Sequence, residues 1–513
     1  MRTLWRLSPL AFAPAFSLPM HRFRWLLFGI LAMCAYLWTM GPSLMGGDSG
    51  ELLLSSWMHG VAHPPGYPLY TMLTWAFAKA LAIGDVAWRY NVFSGVCNAV
   101  AAILLGRLVE RITKDFWPGL VTASILAFSP LIWRYSVVAE VFGLNQVIIA
   151  VFLVLLWNFL ETRSTKLWLG LCLVAGLGVA HHHTSVMVTV PVMTGLLWQD
   201  RRILLRRLPG GLLAAAAGLL PYLYIIAAAQ SVPLMAWGNT STLDGAIVHF
   251  LRQEYGTLKL GNAMTGTEHA VLLRLSYFAW DLPLNSLFGL GVWWTVMFFR
   301  RIFGAAAQPQ DPPQLWSFAA WTAMACSVYL LSFTYLANLS LDLPLGYTIQ
   351  SRFWLQALLF FGMWAGLGFG LVDGIWAKHR RTIALGSLAV LIPFGLATES
   401  QRHTTQIRDH GIRVLESLPK DAILFYEGDH TWGAISYAQL VLGIRPDVDA
   451  LPINFLTFPW CRRWTAANCP RIVLPSKGSG QYLETGYNFR ELYEANHKGG
   501  REIFTINAVS SWD

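Results

Sequence analysis

The chain has 513 residues, 55% of them hydrophobic and 13% charged, with 24 Trp and a formal charge of +9. A water-soluble protein of this length carries about twice that charged fraction. The basic residues lie in short segments between apolar runs, not in the patch or stripe of a nucleic-acid surface, so the charge speaks for membrane orientation.

Residues 1–23 read as a cytoplasmic leader, because Arg22 and Arg24 directly precede the first apolar run. Spans are predicted near 24–40, 91–109, 117–133, 141–160, 167–182, 184–199, 210–228, 281–299, 315–337, 353–373 and 382–398, each close to bilayer-spanning length. Tyr67–Ile83 is ambiguous by hydropathy, and the basic loops decide it. With a cytoplasmic N-terminus and no crossing at Tyr67–Ile83, the cytoplasmic segments hold eighteen Lys and Arg and the longer outer loops only seven. A crossing there would reverse that asymmetry against the positive-inside rule. Tyr67–Ile83 is therefore expected as an interfacial helix of the first outer loop, 41–90. Eleven crossings then put residues 399–513 outside, as a small α/β domain separate from the membrane domain 24–398. In that tail DAILFYEGD, DVDALPI, RIVLP and EIFTI read as strands and AISYAQLVLG as helix. Cys461 and Cys469 lie close in sequence and fit either a disulfide or two thiols.

The first outer loop, GGDSGELLLSSWMHGVAHPPGYPLY, carries the densest polar chemistry. Asp48 and Glu51 are spaced i and i+3, on one helix face. A carboxylate at the membrane surface suits general-base work on an acceptor hydroxyl. The same spacing is a capping box, with Asp48 at the N-cap and Glu51 at N3, and both readings hold together if Glu51 caps and Asp48 reacts. His63, before two prolines and a glycine, is a turn residue or a phosphate contact. His181, His182 and His183 are consecutive, and neighbours about 100° apart on a helix do not converge on one metal ion. One of them bonding a phosphate or carboxylate fits better. Arg134 and Glu140 flank a short outer turn and could pair. Arg352, at the outer start of its span, either snorkels to headgroups or offers a fork-shaped cation to a lipid-linked phosphate. The outer loop 229–280 is long and amphipathic enough to roof the site.

GGDSGELLLSSWMHGVAHPPGYPL resembles the signature of the multipass protein O-mannosyltransferase family, whose human member acts on plexin-type IPT domains. Collinear matches follow in VVAEVFGLN, GLGVAHHHT, PYLYIIAAAQSVPLMAWGN, SRFW and ESLPKDAILFYEGD. The resemblance implies a GT-C-like helical bundle, a polyprenyl- or dolichyl-phosphate sugar as donor, an acceptor protein or glycan, and no cofactor or metal. It implies Asp48 as the catalytic carboxylate and puts Glu51, His63, Glu140, His182 and Arg352 at the site; we read Arg352 and then His182 as the phosphate ligands, because the leaving phosphate needs cationic stabilisation, and Glu51, His63 and Glu140 as positioning residues. His181 stands where the family pattern has Asn, and the tail lacks the helical repeats of the animal protein. A GT-C enzyme acting on a lipid or surface glycan is the alternative. A transporter is disfavoured, because no inverted repeat is present and the acidic residues gather at one surface. The expected location is a bacterial inner membrane or the endoplasmic reticulum, with the site on the non-cytoplasmic side.

Overall fold

A computed structural model describes residues 20–231, 235–253, 271–304, 311–336, 344–372, 375–476 and 486–506. Most of the leader and the middle of the 229–280 loop lie outside the described residues.

Every predicted span falls on helix. The order begins α1 (Met20–Thr39), α2 (Ser49–Trp57), α3 (Pro68–Ala80), α4 (Val86–Thr113), α5 (Phe116–Phe128), α6 (Pro130–Ser136), α7 (Phe142–Thr162), α8 (Thr165–Val179) and α9 (Val186–Gln199). It continues α10 (Arg201–Gly218), α11 (Tyr222–Gln230), α12 (Leu243–Phe250), α13 (Val271–Asn285), α14 (Leu290–Phe303), α15 (Gln314–Leu336), α16 (Pro344–Leu371), α17 (Ile375–Lys378) and α18 (Arg380–Thr398).

By length and composition six helical segments among the described residues can cross a bilayer, or seven if the bent pair Leu272–Asn285 and Leu290–Phe303 counts as one. The predicted runs at 24–40, 117–133, 167–182 and 184–199 are not among these; the last three fall on helices of 13, 15 and 14 residues, and the sequence shows why for two of them. Pro130 follows Ser129, whose extended backbone separates α5 from α6. The 167–182 run stops early because α8 ends at Ala180, ahead of the histidines. The bundle surface carries large apolar side chains in the open, among them Trp280, Leu272, Trp198 and Leu213, each more than 70% exposed. A surface of that kind belongs against lipid. Tyr67–Ile83 forms the short helix α3, which is not among the candidate spans. Its buried Tyr70, Thr71 and Thr74 face protein, and Ser56 of α2 bonds both Thr71 and Thr74.

The tail contains α19 (Gln406–Ser417), β1 (Ile423–Tyr426), α20 (Asp429–Ser436) running into a π turn at Tyr437–Val441, β2 (Asp449–Pro452), α21 (Pro459–Asn468), α22 (Phe489–Asn496) and β3 (Ile503–Ile506). The three strands are parallel in the order β2-β1-β3, with Ile423 opposite both Asp449 and Ile503. RIVLP is not a strand, contrary to expectation. The Asn496 side chain takes both backbone groups of Val473, at 2.8 and 2.9 Å, and substitutes for a neighbouring strand. Cys461 and Cys469 are buried free thiols.

The tail does not close its own core. One cluster of buried side chains joins Leu424, Phe425, Trp432 and Tyr437 to Leu44, Leu53, Leu54 and Tyr90 of the first loop and α4. The boundary expected at 398/399 is therefore a boundary in composition, crossed by continuous apolar packing.

Candidate active site

The first outer loop turns sharply at Gly47, whose φ of +69° suits a residue without a side chain. Asp48 follows and starts α2 without capping it: its carboxylate makes no bond to the helix N-terminus. The capping box is thus not formed. Asp48 Oδ2 instead accepts from Arg352 Nη1 at 2.8 Å. Glu51 does not cap either. Its Oε1 accepts the His63 backbone N–H at 2.6 Å and pairs with His63 Nδ1 at 2.9 Å. His63 Nε2 then meets the Tyr67 hydroxyl at 3.1 Å. A cis peptide joins Pro64 and Pro65 in this turn.

Arg352 reaches the site from α16. One turn further along, Gln356 accepts from Asn145 of α7 at 2.7 Å, which fixes the face α16 turns toward α7. The Arg352 guanidinium lies beside the edge-to-face Phe142 and Phe353 rings, 5.8 and 5.7 Å from their centroids, and its side chain is largely buried, which does not suit a headgroup-seeking residue. Besides Asp48, Nη1 reaches Glu140 Oε1 at 3.4 Å, and the other Glu140 oxygen is buried with no hydrogen-bond partner. One guanidinium thus holds two carboxylates. Burial works against the Asp48 charge, but Arg352 and then His63 outweigh it, and the Asp48 carboxyl lies below its ordinary range. Glu140 goes the other way: burial, then the Asp48 charge, push it up to about 7. Arg134 does not pair with Glu140. It pairs with the buried Glu399, at 2.9 and 3.2 Å.

The histidine triplet splits three ways. His181 Nε2 meets the Val141 carbonyl at 2.8 Å, His182 Nδ1 faces Thr184, and His183 Nε2 meets the Tyr222 hydroxyl. Of these, His182 and His183 line the cavity described below. The Thr184 backbone N–H donates to His182 Nδ1, which leaves the ring proton on Nε2. Burial, then the flanking His181 and His183, keep His182 far below the usual histidine range and hence neutral. His63 is held above that range because Glu51 and Asp48 overcome its burial.

These groups open onto one cavity of about 1110 Å³. Its polar end carries Asp48, Glu51, His63, Glu140, His182 and Arg352, so the structure gathers every site residue read from the sequence. Apolar side chains of the bundle line it as well, among them Val179, Val186, Met187, Phe333, Leu336 and Ile349. Three further residues of acidic, basic or imidazole type line it that sequence reasoning missed: Arg252, and from the tail Asp429 and His430. In the sequence Arg252 is one of the seven basic residues of the outer loops. Asp429 and His430 open α20 just beyond the C-terminal end of β1, the edge where parallel sheets place functional groups, so a strand ending in Gly-Asp-His was the available signal.

The helical bundle with its small α/β tail is that of a polytopic membrane protein with a GT-C-like fold. Among solved structures, ArnT from Cupriavidus metallidurans bound to undecaprenyl phosphate matches with a TM-score of 0.61 at 10% identity, over 89% of this chain and 90% of that one. Residues 48–203 match the family model described as the Protein O-mannosyl-transferase TMEM260 N-terminal domain. Protein O-mannosyl-transferase TMEM260 of Mus musculus is 30% identical over 455 residues, 85% of this chain and 63% of that protein. Protein O-mannosyl-transferase tmem260 of Dictyostelium discoideum is 28% identical over 512 residues, 90% of this chain and 61% of its own length. The chain is a relative of these protein O-mannosyl-transferases and spans a little over three fifths of their length.

Proposed function

We propose that the chain is an inverting glycosyltransferase that moves a sugar, mannose by analogy with its relatives' names, from a polyprenyl-phosphate donor to a Ser or Thr hydroxyl of a protein. The observation that carries this is the Asp48–Arg352–Glu140 cluster at the mouth of an apolar-walled cavity. An ionic end and an apolar wall suit a ligand with a charged head and a hydrocarbon tail. The likeness of the fold to a structure holding undecaprenyl phosphate agrees with that ligand class.

In this scheme the donor phosphate competes with Asp48 and Glu140 for Arg352, with Arg252 and the neutral His182 N–H alongside. As the guanidinium turns to the phosphate, Asp48 is released to act as base. The acceptor oxygen forms its bond to the anomeric carbon while the bond from that carbon to the phosphate oxygen breaks. Asp48 takes the hydroxyl proton, and the phosphate leaves as a monoester dianion. That group needs cations more than a proton, which is the role of Arg352. The scheme requires no metal ion. We place the site on the non-cytoplasmic side of a bacterial inner membrane or the endoplasmic reticulum, on the strength of the basic-loop asymmetry.

The test is mass spectrometry of Ser- and Thr-containing peptides incubated with the purified protein and polyprenyl-phosphate mannose. A hexose on a hydroxyl residue, absent with Asp48→Asn, is the expected result. Transfer only to glycan or lipid acceptors would select the alternative acceptor class, and transfer from a nucleotide sugar without lipid would overturn the donor.

A further inference from the structure

We infer that the tail is the mount of the catalytic loop, with His430, Gly433 and Tyr437 as positioning residues for Asp48. The inference rests on the sugar-transfer reading for what the loop does, and on contacts alone for how it is held.

The segment 43–50 has little to hold itself in place. It contains Gly46, Gly47 and Gly50, and Asp48 gives its carboxylate to Arg352 and none of it to its own backbone. The tail supplies two direct contacts to the segment and a third through Asp85. At its start, Ser43 Oγ donates to Asp85 Oδ2 at 2.9 Å, and the Tyr437 hydroxyl donates to Oδ1 of the same carboxylate at 2.5 Å. Asp85 also caps α4 through Ala87 N–H at 2.8 Å, so this bond ties loop, tail and bundle together. Immediately before Asp48, the Gly47 N–H donates to His430 Nε2 at 3.4 Å. Immediately after, Gly50 packs on Gly433 so closely that a Cβ on Gly50 would stand 3.1 Å from the Gly433 Cα.

His430, Gly433 and Tyr437 are spaced i, i+3 and i+7, one face of α20 and the turn that follows. A single helical face therefore reads the loop on both sides of the base. The backbone on either side of Asp48, at Gly47 and Gly50, meets the tail, and the Asp48 side chain meets the bundle. A misplacement of about 1 Å in such a group costs on the order of 100-fold in rate. Changes in this face should lower turnover for every acceptor by a common factor and leave donor binding alone, because the donor draws on Arg352 and the apolar wall. A tail that only selects acceptors would behave differently: its variants would raise KM for some acceptors and spare kcat.

The experiment uses the full chain in nanodiscs, with His430→Phe, His430→Gln and Gly433→Val. Hydrogen exchange over 41–52 is measured beside transfer to several acceptor peptides. His430→Phe removes the acceptor for Gly47 N–H and should speed exchange in this segment and cut kcat about 10-fold or more, uniformly, at unchanged donor KM. His430→Gln keeps an acceptor oxygen at the distance of Nε2 and should recover most of both. Gly433→Val should loosen the same segment by wedging α20 off α2. Unchanged exchange in both His430→Phe and Gly433→Val, or losses confined to particular acceptors, would overturn the mount. If the wild-type protein transfers no sugar, the exchange readout still decides the mount, and only the sugar-transfer reading falls.

Discussion

Arg352 Nη1 and Asp48 Oδ2 meet at 2.8 Å across 304 residues of sequence, so the candidate base and the candidate phosphate cation are ion-paired to each other. A carboxylate paired this way stays ionised but is not free to take a proton. The pairing favours an order of events in which the donor binds first and the acceptor second.

Asp48→Asn keeps the size of the side chain and cannot accept the proton. It should fold normally, retain donor binding and lose at least ~100-fold in single-turnover transfer, the low end for removing a general base. Glu51→Gln should be milder, since the amide oxygen still accepts the His63 backbone N–H. Near-normal turnover in Asp48→Asn with a dead Glu51→Gln would reverse the two roles.

Arg352→Lys preserves the charge and removes the fork that spans Asp48, Glu140 and an incoming phosphate. Loss of one charge-assisted hydrogen bond, about 1.5–3 kcal/mol, corresponds to roughly tenfold or more in donor KM. Steady-state kinetics against donor concentration checks this, and an unchanged KM would remove Arg352 from phosphate binding.

Glu140 makes stability depend on pH. Burial and the Asp48 charge raise its carboxyl to about 7 in the folded protein, against about 4.3 unfolded. The folded state then binds the proton more tightly. Its contribution is full below about pH 4 and is lost as pH rises through about 7. Glu140→Gln, which cannot ionise, should raise Tm over the parent at pH 8 and change it little at pH 4. A gain at pH 4 that vanishes at pH 8 would contradict the assignment.

Truncation before Glu399 should not yield a stable membrane domain. It would expose Leu44, Leu53 and Leu54, all fully buried in the core shared with the tail. At roughly 1.5–3 kcal/mol for each such side chain, docking of the tail is worth several kcal/mol. It would also leave Arg134 without Glu399. Size-exclusion chromatography in detergent should show aggregation, and a monodisperse truncated protein would refute the shared core.

Much of the site was legible because its chemistry is concentrated in a short segment. Asp48, Glu51 and His63 lie in one loop, and basic-loop asymmetry read Tyr67–Ile83 as no crossing, in keeping with a helix α3 that is not among the candidate spans. Two kinds of information were not local. Spacing made Asp48 a helix cap, but an unfilled N-cap bond at the surface costs about 1 kcal/mol, less than the pairing offered by Arg352 from a distant helix. Likewise Arg134 lies near Glu140 in sequence and chose Glu399, which no spacing rule reveals. RIVLP has the composition of a strand, yet strand formation needs a neighbour, and the side chain of Asn496 took that place.

The contact between Gly47 and His430 spans 383 residues, and this has a consequence for biosynthesis. At about 5–20 residues per second, the first loop emerges roughly 20–80 seconds before the helix that braces it. During that interval the loop carrying Asp48 lacks its tail contacts. Under the proposed function, a nascent chain would be catalytically silent until its last quarter had been made, which would spare its own Ser- and Thr-containing loops from being modified as they form.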